Sequence, residues 1–183
     1  MKKIAVIMAN GFEEIEAVTP IDILRRGGIE VVISGVGNTL IRGSHGIGIE
    51  CNTTVKELDP ADFDGVVIPG GLPGATNIAE SGESNIFIEK MYADNKLIAA
   101  ICASPSVVLS PLKILDGKIS TGYPGSEKDF SNFVELKTDK VVVDGNIITS
   151  KGPGTAASFS FAILEYLAGA EKTESVAGSM LFL

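Results

Sequence analysis

Leu97-Ile98-Ala99-Ala100-Ile101 is apolar at five consecutive positions, with no polar residue between them. A strand with one wet face alternates, whereas a strand covered by helices on both faces reads as an unbroken apolar run. Val66-Val67-Ile68 has the same character and ends in Pro69-Gly70-Gly71. Such runs, interleaved with helical patterns, predict an α/β domain of three layers on a mainly parallel central sheet. In that architecture ligands sit beyond the carboxyl ends of the strands. The residues just after each run therefore carry the chemical interest.

Working outward, Lys3–Ala9, Glu30–Val36, Phe63–Pro69 and Leu97–Cys102 read as strands. Glu14–Arg26, which stops at Gly27-Gly28, reads as a helix, as do Ser84–Asp94, Ser104–Leu112 and Thr155–Ala168. Residues 39–51 predict a hairpin turning at Gly43-Ser44-His45-Gly46, with Ile47, Ile49 and Cys51 on one face. A second hairpin joins Lys140–Val143 to Ile147–Ser150 around Asp144-Gly145-Asn146, and Lys118–Thr121 adds a short strand. No linker or repeat divides the chain, so residues 1–183 are expected to form one domain.

The charge of −8 argues against binding nucleic acid or anionic membranes, which calls for basic patches. No apolar run approaches the ~20 residues of a membrane span. The basic start Met1-Lys2-Lys3 leads into a short strand without a cleavage signature, so no signal peptide is expected. Two cysteines and one histidine form neither a disulfide framework nor a zinc pattern. The expectation is a cytoplasmic, reduced protein.

Three strand-end turns fall where a site belongs: Asn10–Glu16, Pro69-Gly70-Gly71 and Cys102-Ala103-Ser104-Pro105. Cys102 is either a small apolar spacer or a nucleophile. Ser104 suits an N-cap and Pro105 the first helical position, so a helix should start beside the sulfur and lower its pKa. That placement favours the nucleophile without settling the matter. Glu16 shares a helical stripe with Pro20, Ile23 and Leu24, which places an acid on an apolar face. Burial there would keep the carboxyl neutral and fit it for acid–base work beside a thiol. Glu13 and Glu14 are accounted for as favourable charge in a first helical turn. Gly70 and Gly71, with Ala103, offer backbone N–H groups for an oxyanion. His45, the lone histidine, reads as a solvated turn residue unless its hairpin reaches the site. Two glycine patterns, Gly152-Pro153-Gly154-Thr155-Ala156-Ala157 and Gly71–Thr76, lack the context of a nucleotide site.

Gly11–Glu16, Pro69–Gly71, Ala99–Ala103 and Lys151–Thr155, in that order over nearly the whole chain, resemble the motifs of the ThiJ/PfpI superfamily. They are most similar to its Parkinsonism-associated protein deglycase branch, often called DJ-one. The resemblance implies a flavodoxin-like sandwich, a homodimer and no cofactor. It also implies a reactive, oxidisable cysteine at Cys102, a hydrogen-bonding acid at Glu16 and backbone oxyanion donors at Gly71 and Ala103. Cys51 falls near a second family cysteine, where its strand position suggests packing or an interface. The chain departs from the branch at Tyr123, where a histidine often precedes proline, and at Ser104, where glycine often follows Cys-Ala. Tyr123 and Gly70 are expected to line the site. The implied activity is glyoxalase or deglycase chemistry on 2-oxoaldehydes such as methylglyoxal, or on their adducts with proteins. The alternatives are a redox sensor or holdase chaperone acting through cysteine oxidation and, third, a cysteine peptidase or amidase.

Overall fold

The computed structural model describes all 183 residues. Eleven strands occur in chain order: β1 (Lys3–Met8), β2 (Glu30–Gly35), β3 (Leu40–Arg42), β4 (Gly48–Glu50), β5 (Thr53–Thr54), β6 (Gly65–Ile68), β7 (Leu97–Ile101), β8 (Ile119–Ser120), β9 (Glu135–Leu136), β10 (Val141–Asp144) and β11 (Ile147–Ser150). Five α-helices accompany them: α1 (Glu14–Arg26), α2 (Gly74–Ala79), α3 (Gly82–Ala93), α4 (Ala156–Ala168) and α5 (Ala170–Ser179).

The main sheet has seven strands in the order β10-β11-β7-β6-β1-β2-β5. Every pairing in it is parallel except the β10–β11 hairpin. The all-apolar runs take the central places: β6 and β7 pair Val66 with Ile98 and Val67 with Ala99, and every residue of both is buried. Helices α1 and α4 pack together, α4 also resting on β11 and β7, while α2 and α3 lie against β1, β6 and β7. This is the three-layer α/β sandwich expected from the sequence.

The chain leaves β1 for β2 on one side, then returns to β6 on the other, so the topological switch lies between β1 and β6. The loops that follow these strands are pressed together there. Glu13 N donates to Gly70 O at 3.0 Å and Gly74 N to Gly11 O at 3.1 Å. A methyl group on Gly74 would fall 2.5 Å from Phe12 N, so only glycine allows this approach. Cys102 follows β7, the next strand over.

Some expectations need revision. The segment after Cys102 is a π-helical turn, Pro105–Leu109, rather than an α-helix to Leu112. Helices α2 and α5 were not anticipated. α2 is a six-residue segment, and α5 buries only Thr173, Val176 and Ala177, so neither carries a long apolar stripe. No helix is long and apolar enough to cross a membrane.

Candidate functional site

Cys102 sits one residue beyond β7 with φ = 65°, in the left-handed region that β-carbon-bearing residues avoid. Such a conformation costs on the order of 1–3 kcal/mol and persists only where surrounding contacts impose it. Here Cys102 N donates to Ser150 O at 2.9 Å, and Cys102 O accepts from Tyr123 N at 2.9 Å. Ser104 is already helical and caps nothing, contrary to expectation. Its Oγ instead donates to Pro69 O at 2.6 Å, tying the end of β6 to the turn. Cys102 is thereby presented at the strand tip, 9% exposed.

Glu16 reaches this turn from the first turns of α1. Its residue is wholly buried among Ala17, Pro20, Ile23 and Leu24 on the inward stripe, as the periodicity indicated. Oε2 accepts from Gly70 N at 2.9 Å, so the Gly70 N–H is committed to the carboxyl and is not an oxyanion donor. Cys102 and Glu16 flank the same glycine: a methyl on Gly70 would lie 2.6 Å from Cys102 Cβ and 2.7 Å from Glu16 Oε2. Oε1 has no hydrogen-bond partner although it is buried.

Burial is the chief influence on both groups. It pushes Glu16 from its ordinary 4.5 to about 7, partly offset by hydrogen bonding with Cys102 and Gly70 N. The Cys102 thiol goes up to about 12, through burial first and the neighbouring Glu16 second. The backbone N–H groups of Gly71 and Ala103 act on the sulfur in the opposite sense. The lowered thiol pKa expected from the helix start is thus reversed: desolvation outweighs the short π-helical turn. Proton loss from the pair begins near pH 7, and the first charge opposes the second. The Gly71 and Ala103 N–H groups are two that the sequence offered for an oxyanion.

The β3–β4 hairpin does reach α1, but not the thiol. Glu14, read from the sequence as favourable charge in the first turn of α1, lies in that turn and is buried. It accepts from His45 N at 2.8 Å, and from Ile47 N and Ser44 Oγ at longer range, and it pairs with His45 Nδ1 at 2.8 Å. Burial pushes Glu14 up, yet the His45 ring and the N–H donors outweigh it and bring it to about 2. The His45 imidazole is raised by Glu14 and then by Glu13. Ligand atoms of Glu13, Glu14 and His45 lie within 4.8 Å of one another, but Glu14 already has a full set of donors. A Gly43 side chain would collide with Glu14 at 2.3 Å, which explains the glycine in the turn.

Tyr123 is placed through its backbone, and its side chain, 52% exposed, makes no hydrogen bond. The ring lies near Gly152 of the Lys151–Thr155 motif, and Gly152 lies near Glu16 Oε1. The position of Gly152 was missed, because the motif was weighed as a nucleotide pattern and as a family motif without a place beside Glu16. A cavity of about 110 Å³ is lined by Tyr123 together with Phe130, Lys137 and Lys151, and by neither Cys102 nor Glu16. Cys51 is buried, with its thiol pushed up to about 11 by burial, and stands apart as a packing residue.

Together these features define a flavodoxin-like α/β protein with a strained strand-end cysteine beside a buried carboxyl. The chain belongs to the DJ-1/PfpI family, whose model matches residues 2–166. It is 40% identical over 182 residues to Drosophila melanogaster protein dj-1beta, covering 98% of this chain and 97% of that one. The Caenorhabditis elegans glutathione-independent glyoxalase DJR-1.2 is 35% identical over 164 residues, 90% of this chain and 87% of that one. A solved structure of oxidized Toxoplasma gondii DJ-1 superposes with a TM-score of 0.95 at 35% identity, covering 99% of this chain and 98% of that one. The chain spans 41% and 46% of the length of DJ-1 homologs B and A of Arabidopsis thaliana, at 35% and 36% identity over 98% of its own residues.

Proposed function

We propose that this chain is a glyoxalase- or deglycase-type enzyme acting on 2-oxoaldehydes such as methylglyoxal, free or as protein adducts. The observation that carries the reading is the buried Glu16 carboxyl beside Cys102, with the Gly71 and Ala103 N–H groups acting on the same sulfur. Glu16, at about 7, accepts the thiol proton as Cys102 sulfur bonds to the aldehyde carbon. The two N–H groups hold the developing oxyanion of the hemithioacetal. Glu16 hands the thiol proton to that oxygen, completing the hemithioacetal, and so becomes a base again. It then takes the proton from the aldehyde carbon and delivers it to the neighbouring carbon, while the hydroxyl proton passes from the first oxygen to the second, leaving the thioester of a 2-hydroxy acid. Water cleaves the thioester, regenerating Cys102 and releasing a 2-hydroxy acid. A relative carrying the name glyoxalase supports this reading. The test is conversion of methylglyoxal by wild type, Cys102→Ser and Glu16→Gln. Loss in both variants is expected, and wild-type rates in either would overturn the scheme.

A second reading is a redox sensor in which Cys102 is oxidised to sulfinate and the same N–H groups hold it. The related Toxoplasma structure described as oxidized favours keeping it. Intact mass after mild peroxide tests it: a gain of two oxygens at Cys102 supports it, and an unchanged mass removes it. We also infer a homodimer, since Ile15 and Val18 of α1 and Leu40 and Ile47 of the neighbouring hairpin are exposed apolar residues. Light scattering across a dilution series tests the stoichiometry. Two free, buried cysteines suit a reducing, cytoplasmic setting.

A further inference from the structure

Two buried hydrogen bonds meet at one peptide group. Ser104 Oγ donates to Pro69 O at 2.6 Å, and Gly70 N donates to Glu16 Oε2 at 2.9 Å. Pro69 O and Gly70 N belong to the same peptide bond. In a trans peptide the C=O and N–H point in opposite directions, so the Ser104 hydroxyl and the Glu16 carboxyl stand at its two ends. Ser104 and Glu16 are wholly buried, and Pro69 and Gly70 are buried between them. No backbone N–H donates to Pro69 O, which leaves the hydroxyl as its donor. Away from water, a donor at the carbonyl polarises the amide and makes its N–H a stronger donor at the other end. A carboxylate gains more from that than a neutral carboxyl does, because bonds to charged groups are the stronger ones. At Glu16 the bond from Gly70 N favours the charged form, against burial and the neighbouring Glu13.

We propose that Ser104 is a positioning residue for Glu16: its hydroxyl fixes the plane of the Pro69–Gly70 peptide and, by polarising it, strengthens the N–H that holds the carboxyl oxygen. Ser104 makes no hydrogen bond to Cys102 or Glu16 itself and acts only through that peptide. The proposal rests on the reading above, in which Glu16 is the base, and adds what sets the pH range where that base is available. Cys102, after β7, and Glu13, just before α1, are the ionisable groups that act on Glu16, and a substitution at Ser104 removes neither.

The experiment follows the Gly70 amide proton by NMR across the neutral pH range in wild type, Ser104→Ala, Ser104→Thr and Ser106→Ala. Because Gly70 N–H is bonded to Glu16, its shift reports ionisation of that carboxyl directly, and loss of the step in Glu16→Gln identifies it. Ser106 is a buried hydroxyl of the same turn that donates to Ala103 O at 3.1 Å, so its removal controls for the loss of a hydroxyl as such. Thermal melting checks that each variant folds, and Ser104→Gly supplies a second hydroxyl-free variant without added bulk. The expected midpoint rises by about half a pH unit in Ser104→Ala and Ser104→Gly, and stays at the wild-type value in Ser104→Thr and Ser106→Ala. An unchanged midpoint in Ser104→Ala, an equal shift in Ser106→Ala, or no Glu16-dependent step in wild type would overturn the proposal. Methylglyoxal turnover, measured on the same samples, separates it from the reading it rests on. A shifted midpoint in a protein that turns over no methylglyoxal would refute the enzymatic reading and uphold the role of Ser104. An unshifted midpoint in an active protein would refute that role and leave the enzymatic reading standing.

Discussion

Replacing Glu16 by Gln isolates the energetic consequence of burying a carboxyl beside the thiol. In the folded chain Glu16 titrates at about 7 against an ordinary 4.5, with burial as the main cause. An acid whose folded pKa is raised holds its proton more tightly in the native state. Its contribution to stability is therefore fully present below pH 4.5 and is lost as pH rises through 7. At about 1.4 kcal/mol for each pH unit crossed, the loss amounts to about 3 kcal/mol. Cys102, at about 12, stays protonated throughout that window and adds nothing to it. Other groups also titrate between pH 4.5 and 7, so the informative quantity is the difference between wild type and variant. Urea unfolding of both proteins at half-unit pH intervals should give stabilities that diverge below pH 7, wild type gaining on Glu16→Gln as the solution is acidified. Parallel curves would show that Glu16 titrates normally and is not the buried, proton-holding partner described above.

Further outcomes follow from the same contacts. Gly70→Ala places a methyl within 2.9 Å of Cys102 Cβ, Glu16 Oε2 and Ile101 O, so it should destabilise by about 1–3 kcal/mol in thermal or urea melts. The His45 imidazole should titrate above its ordinary 6.5 by NMR and move back toward it in Glu14→Gln. Glu14, lowered to about 2, contributes stability that is present above pH 4.5 and lost as pH falls toward 2, so that acid limb should be shallower in Glu14→Gln. Tyr123→Phe keeps the ring and removes only a hydroxyl without partners, so methylglyoxal turnover should stay within about twofold; a larger fall would give the hydroxyl a chemical role.

The central strands were legible because β6 and β7 are covered on both faces, and burial writes itself into sequence as an unbroken apolar run. Glu16 was legible for the complementary reason, being an acid on the Pro20, Ile23 and Leu24 stripe. The hidden parts depend on contacts between residues far apart in the chain. Ser104 reads locally as a cap, but its hydroxyl is drawn to Pro69 O, which only the fold brings near. Glu14 reads as a helix-end charge, and its burial comes from a hairpin 30 residues later. The sign of the Cys102 shift was misjudged because a strand-to-helix turn suggests N–H donors without revealing how little water reaches the sulfur. The left-handed backbone at Cys102 carries no local signal either, since it is imposed by Ser150 and Tyr123.

The central claim is that Cys102 and Glu16 share their proton chemistry, and the pH profile of Cys102 alkylation tests it most directly. With iodoacetamide and mass-resolved peptides, wild type should show a first rise in rate with a midpoint near pH 7, as Glu16 becomes able to take the thiol proton. A second rise should follow well above the ordinary thiol range. Glu16→Gln should lose the first rise and keep only an alkaline one. A single midpoint common to both proteins would contradict the account, because the thiol would then ionise without reference to its neighbour.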